Sequence, residues 1–216
     1  MDPQERFHLS GKIAVVIGGA GYLCSTLAQA LSDSGARVAL LDLVEPGQGN
    51  PGTNLLKMDY LKCDVTLKED LFRCREIILE RYGRVDVLLN GAGANAPTPF
   101  LEISQEEIDH ILGVNLVGTL YSCQVFGEAM VKQRSGSIIN FTSVSAGPPL
   151  SKAFVYSIAK AGVVNLTQNL AREWAPFHVR VNALRPGFFP TQWSMKHFID
   201  EDRKNKILNH TPMQRF

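Results

Sequence analysis

A short apolar run, Ile13-Ala14-Val15-Val16-Ile17, ends in Gly18-Gly19-Ala20-Gly21, and from Leu23 to Ser34 the apolar side chains then recur at helical spacing. Apolar runs of this length read as buried strands, and a glycine cluster directly behind one marks a tight turn. Gly35 closes the helix, and Arg37-Val38-Ala39-Leu40-Leu41-Asp42 is a second apolar run with an acid at its end. Strand, glycine turn, helix and strand make a βαβ unit, whose strands are parallel because the crossover helix returns the chain to the same end of the sheet. Few architectures can begin this way.

The alternation continues along the chain. Pro46 to Asn54 is a loop rich in glycine and proline, Leu55 to Cys63 holds a third strand ahead of Asp64-Val65-Thr66, and Leu67 to Tyr82 reads as an amphipathic helix. Val85 to Asn90 is a fourth strand that runs into Gly91-Ala92-Gly93. One long helix is expected from about Ser104 to Met130, a fifth strand over Ser137 to Phe141, a helix over Ala153 to Trp174, and a sixth strand over Val179 to Leu184 ending at Pro186-Gly187. Near-continuous apolar strands alternating with helices imply an α/β fold with a parallel sheet covered on both faces. No repeat, low-complexity tract or linker interrupts the pattern, so residues 1–216 read as a single domain, with a substrate-loop region at residues 188–209. In such sheets ligands bind beyond the carboxyl ends of the strands, where the strand order reverses. Gly18 to Gly21, Asp42, Asp64, Asn90 to Gly93, Ser143 and Pro186-Gly187 each follow a strand.

Composition narrows the partners. Twenty-two lysines and arginines nearly balance 21 aspartates and glutamates, so nothing draws the whole chain to nucleic acid or an anionic membrane, and a small molecule is the expected partner. Cys24, Cys63, Cys74 and Cys123 have neither C-x-x-C nor Cys/His spacing, which points to reduced thiols and no metal site. Met1 to Lys12 lacks an apolar signal region, and no apolar run reaches the ~18 residues of a membrane span. A cytoplasmic location is the expectation.

Several residues carry possible chemistry. The glycine turn allows backbone N–H groups and a helix N-terminus to approach a pyrophosphate. Asp42, 24 residues after Gly18, could accept hydrogen bonds from an adenosine ribose and would repel a 2′-phosphate, which favours NAD over NADP. A tight turn with a cap is the alternative reading of the same pair. Tyr156 and Lys160 stand four apart on one helix and share a face. An ammonium about 4 Å from a phenol attracts the phenolate by ~4 kcal/mol at an effective dielectric of ~20, enough to draw the phenol toward neutrality as a general acid/base. Tyr-x-x-x-Lys by itself is a common accident. Ser143, just past the fifth strand, could donate to a substrate carbonyl oxygen, and Asn115 lies within the long helix.

These features, in this order, resemble the classical short-chain dehydrogenase/reductase family across essentially the whole chain. The resemblance rests on the glycine turn, Asp42, Asp64-Val65-Thr66, Asn90-Gly91-Ala92-Gly93, Asn115, Ser143, Tyr156-Ser157-Ile158-Ala159-Lys160 and Pro186 to Thr191. It implies a Rossmann-like doubly wound sheet and an oxidoreductase that moves a hydride between NAD(H) and an alcohol or carbonyl. Tyr156 would exchange the proton, Lys160 would lower the tyrosine pKa and hold the nicotinamide ribose, Ser143 would orient the substrate oxygen, and Asn115 would hold a water of the proton relay. Gly18, Gly21, Tyr22 and Leu23 would form the phosphate turn. Asp64 and Val65 would meet the adenine, Asn90 and Ala92 the ribose, and Pro186, Gly187 and Thr191 the nicotinamide. A homo-oligomer, tetramer or dimer, is implied as well.

The chain departs from the family pattern at Tyr22 and Cys24, where two further glycines are usual. Gly-Gly-Ala-Gly-Tyr-Leu-Cys is instead similar to a subgroup of D-mannonate oxidoreductases or fructuronate reductases, as are His210-Thr211-Pro212-Met213 and Arg215-Phe216, which favours a sugar-acid or polyol substrate. Arg185 could then pair with a substrate carboxylate, a structural or interface salt bridge being the alternative. Relatives continue past such a segment into another helix and a final strand, so the sheet is expected to lack its C-terminal strand here. A non-catalytic NAD-binding sensor or regulatory subunit is the competing reading. Specificity is expected to lie in the loops Ala94 to Phe100, Ala146 to Lys152 and Phe188 to Asn209.

Overall fold

A computed structural model describes residues 7–45, 53–148 and 152–216. The loop expected from Pro46 to Asn54 lies largely outside the described residues, as do the first six residues of the N-terminal reading and residues 149–151 of the Ala146 to Lys152 loop.

Six strands form one parallel sheet: β1 (Ile13–Ile17), β2 (Arg37–Asp42), β3 (Asp59–Lys62), β4 (Val87–Asn90), β5 (Gly136–Phe141) and β6 (Val179–Leu184). Their order is β3-β2-β1-β4-β5-β6. The chain builds outward from β1 in one direction and then crosses back to β4, so order reverses between these two strands. Ile17 pairs in register with Leu41 on one side and Asn90 on the other. The carboxyl ends of β1, β2 and β4 therefore open onto one crevice.

The period of two in a strand decides which residue serves which face. Ile13, Val15 and Ile17 join Leu41, Leu71, Ile78, Leu88, Phe126 and Met130 in one core, under α2 (Lys68–Tyr82), α4 (Gly118–Lys132) and the last turns of α5 (Phe154–Trp174). Ala14 and Val16 face the other way, packing with Ala28, Val38, Leu40, Leu89 and Phe141 under α1 (Tyr22–Asp33). Both faces of β1 are covered, which is why its five residues are all apolar and all buried.

The expected single helix from Ser104 to Met130 is two helices joined by a π-helical turn. Ser104 caps α3 (Gln105–Leu112) by accepting from the Glu107 N–H at 3.2 Å. Over Gly113–Val117 the ladder then widens, with Gly118 N–H bonding the Gly113 carbonyl, before α4 resumes. The cause is Asn115, whose Nδ2 donates to the Ile111 carbonyl at 2.9 Å and to the Ala94 carbonyl at 2.7 Å. A side chain that takes the i−4 carbonyl competes with the backbone for it and locally unwinds the ladder. The region expected as loops at residues 188–209 contains two short helices, α6 (Gln192–His197) and α7 (Glu201–Asn209). No described helix is long and apolar enough to cross a membrane.

Candidate active site

Two cavities open along the carboxyl ends of the strands and share Gly91 and Gly93. The smaller, about 510 Å³, is lined by Gly18, Ala20, Gly21, Asp42, Asp64, Val65 and Ala92 among others. The larger, about 610 Å³, is lined by Leu23, Ser143, Ser145, Tyr156, Lys160, Pro186, Gly187 and Thr191, with Phe141, Phe188, Phe189, Phe198 and Ile199 as apolar walls. The crevice thus gathers residues scattered from 18 to 199 in sequence.

In the smaller cavity the backbone comes unusually close. Gly18 has φ +74°, and a Cβ there would lie 2.6 Å from the Ala92 N. No side chain could replace it. Gly21, which lines this cavity, stands at the N-cap of α1 with no side-chain cap and no acid in the first turn, so no side chain of the cap claims the first N–H groups of α1. Asp42 ties the turn to β2: its Oδ2 accepts from the Ala20 N–H at 3.0 Å and its Oδ1 from the Val44 N–H at 3.2 Å. The cap reading of Asp42 therefore holds, and a carboxylate with about four acceptor sites retains capacity for a ribose. Asp64 spends one oxygen on Thr66, through its N–H at 2.9 Å and its hydroxyl at 2.7 Å.

The two departures in the turn are accommodated differently. Tyr22 is exposed and lines neither cavity, so only its backbone can serve the turn. Cys24 is buried against Gly91, where any Cβ would collide with its Sγ. Cys24 and Gly91 fit as a pair, the larger residue on one element met by the smallest on the other. Burial, then Asp42, pushes the Cys24 thiol up to about 12, so it stays neutral. All four cysteines are free and buried.

In the larger cavity Ser143, Tyr156 and Lys160 come from the end of β5 and from α5. Lys160 is buried, and its Nζ donates to the Phe141 carbonyl at 2.9 Å while lying 5.5 Å from the centroid of the Tyr156 ring. Burial draws the Lys160 ammonium down to about 8. The expected lowering of the Tyr156 phenol is reversed: burial raises it, and a hydrogen bond with Ser143 only partly opposes that. The reason is that the ammonium is directed at the Phe141 carbonyl, and desolvation of the phenolate outweighs what remains. Ser143 Oγ accepts from the Ser145 N–H at 3.2 Å, leaving its own proton to donate.

Two further expectations, for Asn90 and Arg185, are corrected. Asn90 does not line the crevice. It is 3% exposed and turned into the core, where its Nδ2 donates to Asn140 Oδ1 at 2.8 Å and its Oδ1 accepts from Ser122 Oγ at 2.5 Å. Asn115 lies beneath the crevice rather than in it, clamping Ala94, with an Oδ1 that has no partner among the described residues. A Cβ on Gly93 would be 3.1 Å from this Oδ1 and 4.0 Å from Lys160 Nζ. Arg185 is outside the larger cavity: its Nε donates to the Ser143 carbonyl at 3.4 Å and its guanidinium covers Gly147. It steadies the turn that carries Ser143 and is not among the residues that line the cavity of Tyr156. Sequence reasoning missed Ser145, which only its i+2 spacing from Ser143 could have marked; the aromatic walls Phe189 and Phe198 fall within the substrate-loop region expected at residues 188–209.

The residues of the smaller cavity suit a nicotinamide dinucleotide, with a close-approach glycine, an uncapped helix N-terminus for phosphates and a carboxylate for a ribose. A family model described as short chain dehydrogenase matches residues 12–202. The chain is 36% identical over 234 residues to an uncharacterized oxidoreductase, UxuB, of Bacillus subtilis, covering 97% of this chain and 84% of that protein. It is 32% identical to an NAD-dependent glycerol dehydrogenase of Listeria innocua over 93% of this chain and 81% of the relative. The crystal structure of gox2181 superposes with a TM-score of 0.90 at 28% identity, over 98% of this chain and 85% of that one.

Proposed function

Because the chain belongs to the short chain dehydrogenase family, an oxidoreductase family with this Rossmann-like fold, we propose that it is an NAD(H)-dependent dehydrogenase/reductase that interconverts a small polyhydroxylated alcohol and its carbonyl. The observation that carries this reading is that Ser143, Tyr156 and Lys160 line one cavity, which shares Gly91 and Gly93 as lining residues with a second lined by Gly18, Asp42 and Asp64.

A bound nicotinamide dinucleotide supplies the hydride acceptor or donor. In reduction Tyr156 delivers its phenolic proton to the carbonyl oxygen, a task for which a phenol held above its ordinary pKa is correctly protonated at neutral pH. Ser143 donates a hydrogen bond to the same oxygen and stabilises the negative charge that develops there. Lys160, 5.5 Å from the centroid of the Tyr156 ring, favours the phenolate needed for alcohol oxidation while it is an ammonium, below about 8. Asn115 Oδ1, beside Gly93 and Lys160, is where a relay water would be held. Asp42 favours NAD over NADP, since a 2′-phosphate would meet a carboxylate.

Polyols are favoured over sugar acids such as D-mannonate or fructuronate because Lys160 is the only cation among the described residues lining the larger cavity. The Listeria relative's NAD-dependent glycerol dehydrogenase name agrees with a neutral polyol. Exposed Phe154 and Ile158 on α5 and Val117 beside α4 supply apolar surface for a homodimer or tetramer, and the protein is read as cytoplasmic. The test is a screen of polyols, hexonates, uronates and simple alcohols with NAD and with NADP, following absorbance of the reduced cofactor. NAD-linked turnover of polyols is expected. Tight NAD binding with no turnover would instead identify a sensor, and a preference for NADP would overturn the role given to Asp42.

A further inference from the structure

We infer that Ser145 selects substrates bearing a second hydroxyl on the carbon next to the reacting one, its Oγ hydrogen-bonding that neighbouring oxygen; this rests on the oxidoreductase reading and names the substrate feature it requires. Ser145 sits on the 3₁₀ turn Val144–Ala146 directly after β5 and lines the larger cavity together with Ser143 and Tyr156. It is 5% exposed, and its Oγ has no hydrogen-bond partner among the described residues. Buried hydroxyls are nearly always paired, because leaving one unpaired forfeits its hydration without return. Asn115 Oδ1 and Ser157 Oγ are unpaired as well, but neither residue lines the cavity. Of the three, only Ser145 is a residue that lines the cavity.

Geometry limits what it can read. The Ser145 N–H is bound to Ser143 Oγ at 3.2 Å, which fixes residue 145 beside the hydroxyl that engages the reacting oxygen. The remaining wall is largely apolar, from Ala153, Phe188, Phe189 and Ile199. A short molecule with one further oxygen adjacent to the carbinol satisfies Ser145 and leaves the rest of its surface against carbon. Either hydroxyl role, donor or acceptor, is open to serine, so a vicinal diol and its hydroxy-ketone product are both served.

A site built to pair a substrate hydroxyl discriminates strongly against the analogue without it. The matched pair is propylene glycol and isopropanol, which differ by that hydroxyl. With NAD, wild-type kcat/KM should favour the diol. Ser145→Ala should reduce the diol-to-isopropanol ratio by about 10- to 100-fold, through the diol alone, and Ser145→Thr should retain most of it. An unchanged ratio, or an equal fall for both alcohols, overturns the inference. Ligand-observed NMR binding of both alcohols to the NAD-saturated Tyr156→Phe protein, with and without Ser145→Ala, gives a readout free of turnover. If wild-type protein turns over neither these two alcohols nor any compound of the wider screen, the oxidoreductase reading falls, whereas a diol preference in binding that Ser145→Ala abolishes still upholds Ser145. Equal binding of both alcohols by the parent overturns it.

Discussion

Tyr156 and Lys160 are set against each other by desolvation. Burial makes the phenolate costly and the ammonium costly at once, so the tyrosine is raised and the lysine falls to about 8. Tyr156→Phe keeps the ring and deletes the proton donor; kcat should fall by about 10²- to 10⁴-fold while NAD affinity, measured by titration, changes little. Lys160 also makes stability depend on pH. Its ammonium loses its proton at about 8 when folded against an ordinary 10.5, so between these values the unfolded chain binds more protons and stability rises with pH. Below about 8 the buried charge is a cost. Lys160→Met removes that slope, and its stability relative to wild type should decline by on the order of 3 kcal/mol as pH rises from about 8 to about 10.5. Urea denaturation across this window checks it, and parallel pH slopes for the two proteins would contradict the burial cost. The sequence spacing placed both residues on one helix face. It was silent about the Phe141 carbonyl, which holds Lys160 Nζ and lies on a strand 19 residues earlier.

Among the elements, the strands were readable because both faces of a parallel sheet are buried, leaving an apolar run where each strand lies. The helix expected from Ser104 to Met130 was not readable in full. Its composition suits a continuous helix, and the π-helical turn arises because Asn115 reaches the Ala94 carbonyl, 21 residues away in sequence. Similarly, the turn after β1 looked overfilled at Cys24 until β4 brought Gly91 against it. That pairing predicts a coupled effect. Gly91→Ala should destabilise the protein by about 1–3 kcal/mol through overpacking, and adding Cys24→Gly should recover part of the loss. Thermal or urea unfolding of the two single variants and the double variant measures the coupling; additive losses would mean the two positions do not compete for the same space.

For the whole molecule, what matters is that order reverses between β1 and β4, so that the βαβ unit and the Ser143–Lys160 region meet over a single crevice at Gly91 and Gly93. A dinucleotide spanning both cavities would bind the folded chain alone. At 100 times its Kd, NAD should add ~2.7 kcal/mol and raise Tm by roughly 5–10 °C in differential scanning fluorimetry, with NADP giving less at equal concentration. Equal shifts from both would remove the discrimination assigned to Asp42. The sequence alone determined the parallel α/β architecture, since hydrophobic period and glycine turns act over a few residues and need no knowledge of what lies opposite. It also placed Gly18, Asp42, Asp64, Ser143, Tyr156 and Lys160 at strand ends or on the following helix. Tertiary structure decided the environments: Asn90 turned into the core, Arg185 bound to the Ser143 carbonyl, Tyr156 raised instead of lowered, and Ser145 left with an unpaired hydroxyl beside the reacting groups. Side-chain direction, burial and pKa depend on neighbours contributed by distant segments, and no local pattern in the chain carries that information.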